Sequence, residues 1–143
     1  MTSMLHHLFH FWAVDLVIAF LNFTFLTSIL QPAYGELAAH QIGMSIRIAY
    51  IFILAYFMLR GLDNYTRRDL AKLGATWMCL WLLFEWGGSL LIGRPVAEIL
   101  VGWNVFAGYM WPYVLLAYLT STLMVDAILH PTNPGTSNRE GPL

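Results

Sequence analysis

The chain has 143 residues, of which 59% are hydrophobic and only 10% charged, and its formal net charge is −1. A soluble domain carries about 25% charged residues, and no single core of this size hides so much apolar surface, so lipid is its natural solvent. The near-neutral balance points to no nucleic-acid partner, and the single cysteine, Cys79, excludes an internal disulfide and any CxxC metal site.

Four runs reach the length of about 20 mostly apolar residues that a membrane helix needs. The first, Leu8 to Leu30, follows a stretch with no Lys or Arg and is longer than a signal-peptide core of about 7–15 residues. It reads as an uncleaved first span. Gln31-Pro32 is expected to end it, and Gly35 to permit the turn. The second span covers about Gly35 to Leu59. A polar loop follows, GLDNYTRRDLAK from Gly61 to Lys72. The third span is Leu73 to Ile92, closed by Gly93-Arg94-Pro95. It contains Cys79, read as a packing residue, and Trp77, Trp81 and Trp86.

Residues 94–104 are too short and too polar to span. Pro95 suits a first helical turn, and Arg94 and Glu98 stand at i, i+4. The segment is expected to be a short helix lying at the outer interface, ended by Gly102 and anchored by Trp103, with Asn104 beside it. The fourth span runs from Val105 to Leu129, with a kink expected at Pro112. The expected fold is thus an all-α membrane protein: a four-helix transmembrane domain over 1–129 and a polar C-terminal cytoplasmic tail over 130–143. Arg60, Arg67, Arg68 and Lys72 flank one loop, so the positive-inside rule places that loop and both termini in the cytoplasm.

Ionisable groups inside spans are costly, about 2.5–3.5 kcal/mol each on the insertion scale, and need a reason. Asn22, Arg47 and Glu85 fall at one depth, roughly 8–12 Å below the outer surface at the helical rise per residue. Arg47 and Glu85 are therefore expected to pair, with Asn22 as a third partner. Glu36, His40, Gly43 and Arg47 share one helical face, and Glu85, Gly88 and Ser89 another. Asn104, Gly108, Trp111, Tyr118, Thr122 and Asp126 form a polar stripe on the fourth span. The outer half thus reads as a polar pocket opening outward. Asp15 and Asp126 are assigned to the inner half, with Arg60 as a counter-charge at its boundary. The pair can serve as a structural lock, a ligand or ion site, or a docking contact.

His6 and His10 have a metal-compatible spacing but no third ligand in the sequence, and His10 and His40 lie on opposite sides, which excludes one shared haem. No cofactor or metal is expected. No nucleophile–base spacing, phosphate loop or HExxH appears, so no catalytic residue is assigned, although Glu36, His40 and Glu85 are potential acid–base groups.

The run from Pro32 to Gly43 (P-x-x-G-E-x-x-A-x-Q-I-G), then F-E-x-G from Phe84 and G-R-P-x-x-E from Gly93, resembles a family of small four-span bacterial membrane proteins of unknown function. The resemblance covers roughly Pro32 to Tyr118. It implies a fold and a bacterial inner membrane, and no activity. Where that family tends to carry an acid and a His in the first span, this chain has Ala19 and Asn22. Two functions stay open. One is an accessory subunit of a larger membrane assembly, without chemistry of its own and held by partner subunits. The other is a small oligomeric transporter or channel using the pocket around Arg47 and Glu85. A membrane enzyme on the outer face is a third, weaker reading.

Overall fold

The computed structural model describes residues 2–131; most of the segment assigned to a tail lies outside the described residues. Every regular element among the described residues is helical. α1, Thr2–Phe25, continues through a π-helical turn, Leu26–Leu30, into a short α2, Gln31–Tyr34. Pro32 therefore does not end the first span. Its missing N–H is absorbed by the wider turn: the Gln31 N–H reaches back to the Leu26 carbonyl, and the Thr27 hydroxyl donates to the Phe23 carbonyl at 2.9 Å. The stop is Gly35, at φ 84° and ψ 169°, a conformation essentially reserved for glycine.

α3, Glu36–Arg60, leads through the polar loop to α4, Arg67–Leu91. Thr66 and Asp69 form a reciprocal capping box that starts α4. The 94–104 segment does contain a helix, α5 at Val96–Val101, entered through an extended Pro95. Arg94 and Glu98 approach to 3.7 Å on its exposed side. Asn104 then caps a single 3-10 turn, Val105–Ala107, which ends at a left-handed Gly108, φ 91°. α6 is Trp111–Leu129, with Pro112 in its first turn. The fourth apolar helix thus begins six residues later than Val105, and Pro112 starts it rather than kinking it, because a first-turn proline leaves no hydrogen bond broken. Asn104 and Gly108 consequently fall off its polar stripe.

Three helical runs are long and apolar enough to cross a membrane: Ser3–Tyr34, Glu36–Arg60 and Trp111–Leu129. α4 is as long as α3, at 25 residues each, but its Trp, Gly, Thr, Lys72 and Glu85 make it less apolar. The four long helices form a ring. α6 packs on both α3 and α4, α3 packs on α1, and α1 touches α4 more loosely. α3 and α4 are the diagonal pair. Large apolar side chains such as Phe20, Leu83, Leu91 and Ile128 face outward, while Asp15, Arg47, Ser121, Thr122 and Asp126 are buried. A bundle solvated by lipid distributes its residues in this way.

The tightest seam is α4 against α6. Gly74 lies so close to the Leu119 carbonyl that a methyl group there would collide with backbone. One turn inward, the Thr122 hydroxyl donates to the Leu70 carbonyl at 2.9 Å. Small residues bring the two backbones together, and the hydroxyl ties them.

Candidate functional site

The centre of the ring is polar. Asp15 from α1, Arg47 from α3, Trp77 and Trp81 from α4, and Tyr118 from α6 converge there. The Tyr118 hydroxyl accepts from Arg47 Nε and Nη2, both at 3.2 Å, and donates to Asp15 Oδ1 at 3.2 Å. Asp15 Oδ2 accepts from the indole N–H groups of Trp77 and Trp81, at 3.0 and 2.7 Å. The Arg47 guanidinium lies over the Trp81 ring at 4.1 Å and near the Trp111 ring at 5.0 Å. Asp15 and Tyr118 are fully buried, and Arg47 is 8% exposed. The hydroxyl between acid and base lets each charge keep a hydrogen-bonded neighbour in low dielectric, and aromatic faces supply the rest of the cation's solvation.

The direct ion pair expected between Arg47 and Glu85 is not formed among the described residues. The reason is the ring order. Short connections suggested that α3 and α4 would be neighbours, but α6 stands between them and presents Tyr118 to Arg47. Asp15, assigned to the inner half with Arg60 as a counter-charge, is bonded to Trp77, Trp81 and Tyr118. It sits at mid-bundle, and Arg60, outside it, donates to Tyr56 at 3.2 Å instead.

Glu85 lies one helical turn beyond Trp81 toward the α5 end of the bundle, half-buried, with Oε2 buried and without a hydrogen-bond partner among the described residues. It shares an open cleft of about 430 Å³ with Arg47, Trp81, Phe84, Gly88, Ser89, Ile92 and Trp111. Arg47 and Glu85 thus line one cleft without a direct ion pair. The indole N–H of Trp111 is also buried without an acceptor, as is that of Trp103. Ser89 is buried on the cleft wall, as its position beside Glu85 suggested.

The other expected members of the cluster have separate partners. Asn22 donates to the Gly43 carbonyl at 3.0 Å and ties α1 to α3, so it is no third partner for Arg47. Gly43 also seats Leu26 of the π-turn. His40 Nε2 accepts from the Met110 N–H at 3.0 Å, and Gln41 donates to the Gly108 carbonyl at 3.0 Å; both hold the start of α6. Glu36 is exposed. Arg94, Glu98 and Asn104 stay on the exposed connection, and Trp103 packs edge-on against Trp86 with ring centroids 6.4 Å apart. Cys79 is exposed on α4 rather than packed.

A second polar cluster lies at the opposite end. Fully buried Asp126 accepts from the Tyr65 hydroxyl at 3.0 Å and meets His130 Nδ1 at 3.0 Å. Burial and the neighbouring carboxylate push the Tyr65 phenol up to about 12. His6 and His10 lie with ring centroids 5.3 Å apart and planes tilted by 54°, and no group of three metal-ligating side chains converges among the described residues.

Sequence reasoning found Arg47, Glu85 and Ser89 from their rarity in apolar runs. It missed the partnership of Asp15, Trp77, Trp81 and Tyr118, whose only signal was an acid at mid-run in α1. Comparison with family models, with curated proteins and with solved structures gives no match.

Proposed function

We propose a four-span membrane protein that binds a ligand of mixed charge in an outward-facing cleft, as a small transporter or binding protein of the membrane. The observation that carries the reading is that Arg47 and Glu85 both line one open cleft without an ion pair between them. A bundle that used them only as a lock would bring them together, because unpaired charges in low dielectric are costly. Here Asp15 and Tyr118 hold Arg47 in place from behind and leave its Nη1 without a hydrogen-bonding partner among the described residues. A subunit whose sole role is to hold a larger assembly together gives this arrangement no purpose. Movement of the ligand across the bilayer requires self-association, since four spans seldom enclose a pore alone.

The fourth span rests on α4. It runs antiparallel to α6 along its length, with Leu70 opposite Thr122, Gly74 opposite Leu119 and Glu85 near Trp111. A helix flanking a membrane-crossing partner from end to end crosses the same thickness. The basic residues around 60–72 then set that loop and both termini in the cytoplasm, and α5 lies at the outer interface. A bacterial inner membrane is what the sequence resemblance adds.

The test is a thermal-shift screen of the purified protein in mild detergent, using anionic, cationic and zwitterionic solutes. Wild type should be stabilised by a solute carrying both charges, and the double variant Arg47→Met with Glu85→Gln should not respond. Equal responses of the two proteins to every solute would sink the site.

A further inference from the structure

The Arg47 cleft does not end at the polar pocket. A second groove of about 280 Å³, lined by Leu16, Ala19, Phe20, Phe23, Arg47, Trp81 and Phe84, runs along the α1/α4 seam. The two hollows share Arg47, Trp81 and Phe84. Apart from Arg47 and the Trp81 indole, the groove is hydrocarbon. Its rim residues Phe20 and Phe23 are 69% and 62% exposed, so it opens sideways, toward where lipid chains lie. The seam is the loosest of the four, and its side-chain hydrogen bonds are the two indole donors to Asp15 at mid-bundle. Nothing polar closes it further outward.

Resting on the reading of the cleft as a binding site, we propose that the ligand is a zwitterionic amphiphile. Its anionic group sits on Arg47, its ammonium against Glu85, and its acyl chain in the α1/α4 groove. Each part answers an observation. Arg47 is a buried cation with a free N–H edge at the junction of the two hollows, suited to a phosphate or carboxylate. Glu85 lines the same cleft beside Trp111, so that a carboxyl and an aromatic ring stand together where an ammonium would sit. A soluble zwitterion would leave the apolar groove unfilled. The lateral opening lets the ligand enter from the bilayer with its chain never exposed to water, and the chain then packs against the apolar groove wall. A simple anion would answer Arg47 and leave the Glu85 carboxyl beside it without a cationic partner.

The test is binding to the full-length protein in mild detergent, read by quenching of tryptophan fluorescence with lysophosphatidylethanolamine carrying a brominated chain. Phosphoethanolamine without a chain competes as one arm, and lysophosphatidylglycerol, which lacks the ammonium, as another. Wild type should bind the first saturably and both others at least tenfold more weakly. Ala19→Trp, which plugs the groove, should weaken the chained ligand at least tenfold, with the melting temperature in the same detergent reporting that the variant is folded. Glu85→Gln should erase the preference for the zwitterion over lysophosphatidylglycerol. If phosphoethanolamine matches the chained ligand, or Ala19→Trp has no effect, the amphiphile is wrong while the cleft reading stands. If no probe distinguishes wild type from Arg47→Met with Glu85→Gln, the cleft reading falls and takes the amphiphile with it.

Discussion

Tyr118 is the residue on which the bundle centre turns. One hydroxyl accepts twice from Arg47 and donates once to Asp15, so a single atom serves two buried charges. Tyr118→Phe keeps the ring that stacks on Trp81, centroids 5.8 Å apart, and removes only that atom. The expected loss is about 1.5–3 kcal/mol, the range for hydrogen bonds to charged groups, measurable by unfolding in micelles. Asp15→Asn and Arg47→Met should each destabilise, and the double change should cost less than their sum, because each single change strands the other charge. Strict additivity would dissolve the network. Glu85→Gln strips no partner from Arg47 and should change stability by less than about 0.5 kcal/mol. Tyr65 gives a pH signature at the other end. Its unfolded phenol titrates near 10.0 and its folded one at about 12. Its contribution is therefore complete below the unfolded value and disappears as pH rises through the folded one. Spectrophotometric titration should show one phenol lagging the exposed ones, and Tyr65→Phe should remove that lag.

At the scale of elements, glycines behave oppositely according to what faces them. Gly74 abuts the Leu119 backbone, whereas Gly87, on the same helix, has nothing within 4 Å of where a Cβ would stand. Gly74→Ala must push α6 away from α4 and should cost about 1–3 kcal/mol as an overpacking change. Gly87→Ala should be neutral or stabilising by about 0.5–1 kcal/mol, through helix propensity alone. Melting temperatures of the two variants in one detergent decide the matter, and the same sign for both would contradict the packing described. The start of α4 has its own signature. Hydrogen bonds from Thr66 hold the Asp69 carboxyl below its usual range. That support is present above the carboxyl's unfolded value and is lost as pH falls through the folded one, so Thr66→Ala should flatten the acid limb of the stability profile. Pro32 and Pro112 show how far a helix rule reaches. Both prolines were expected to break or bend a span. One is absorbed by a π-turn and the other starts a helix, because what matters is which carbonyl would have bonded to the missing N–H.

For the whole molecule, the four-span arrangement proposed above would set the loop at 61–66 and the α5 connection on opposite faces. Single-cysteine variants at Asp63 and Glu98, in a Cys79→Ala background, should react with an impermeant maleimide from opposite sides of sealed vesicles. Labelling of both from one side would refute it. Asp63 suits the purpose better than Asn64, whose φ of 53° favours the residue already there.

The presence and order of the long helices, the short helix within 94–104 and the rarity of Arg47 and Glu85 inside apolar runs were legible in the sequence, because apolar length and local spacing are properties of consecutive residues; the ends of the first and fourth runs were not. Depth along a helix was legible too, and it correctly brought Arg47 and Glu85 to one cleft. Their partners were not. Sequence spacing says how far along a span a side chain lies, yet contact also depends on which helix stands beside which and on how each is rotated. The ring order put α6 between α3 and α4 and rotated Asp15 and Tyr118 inward, so the charge that Arg47 answers to comes from the first helix, through a hydroxyl of the last. Tertiary packing alone decided that, and by satisfying Arg47 from behind it left the Glu85 side of the cleft open.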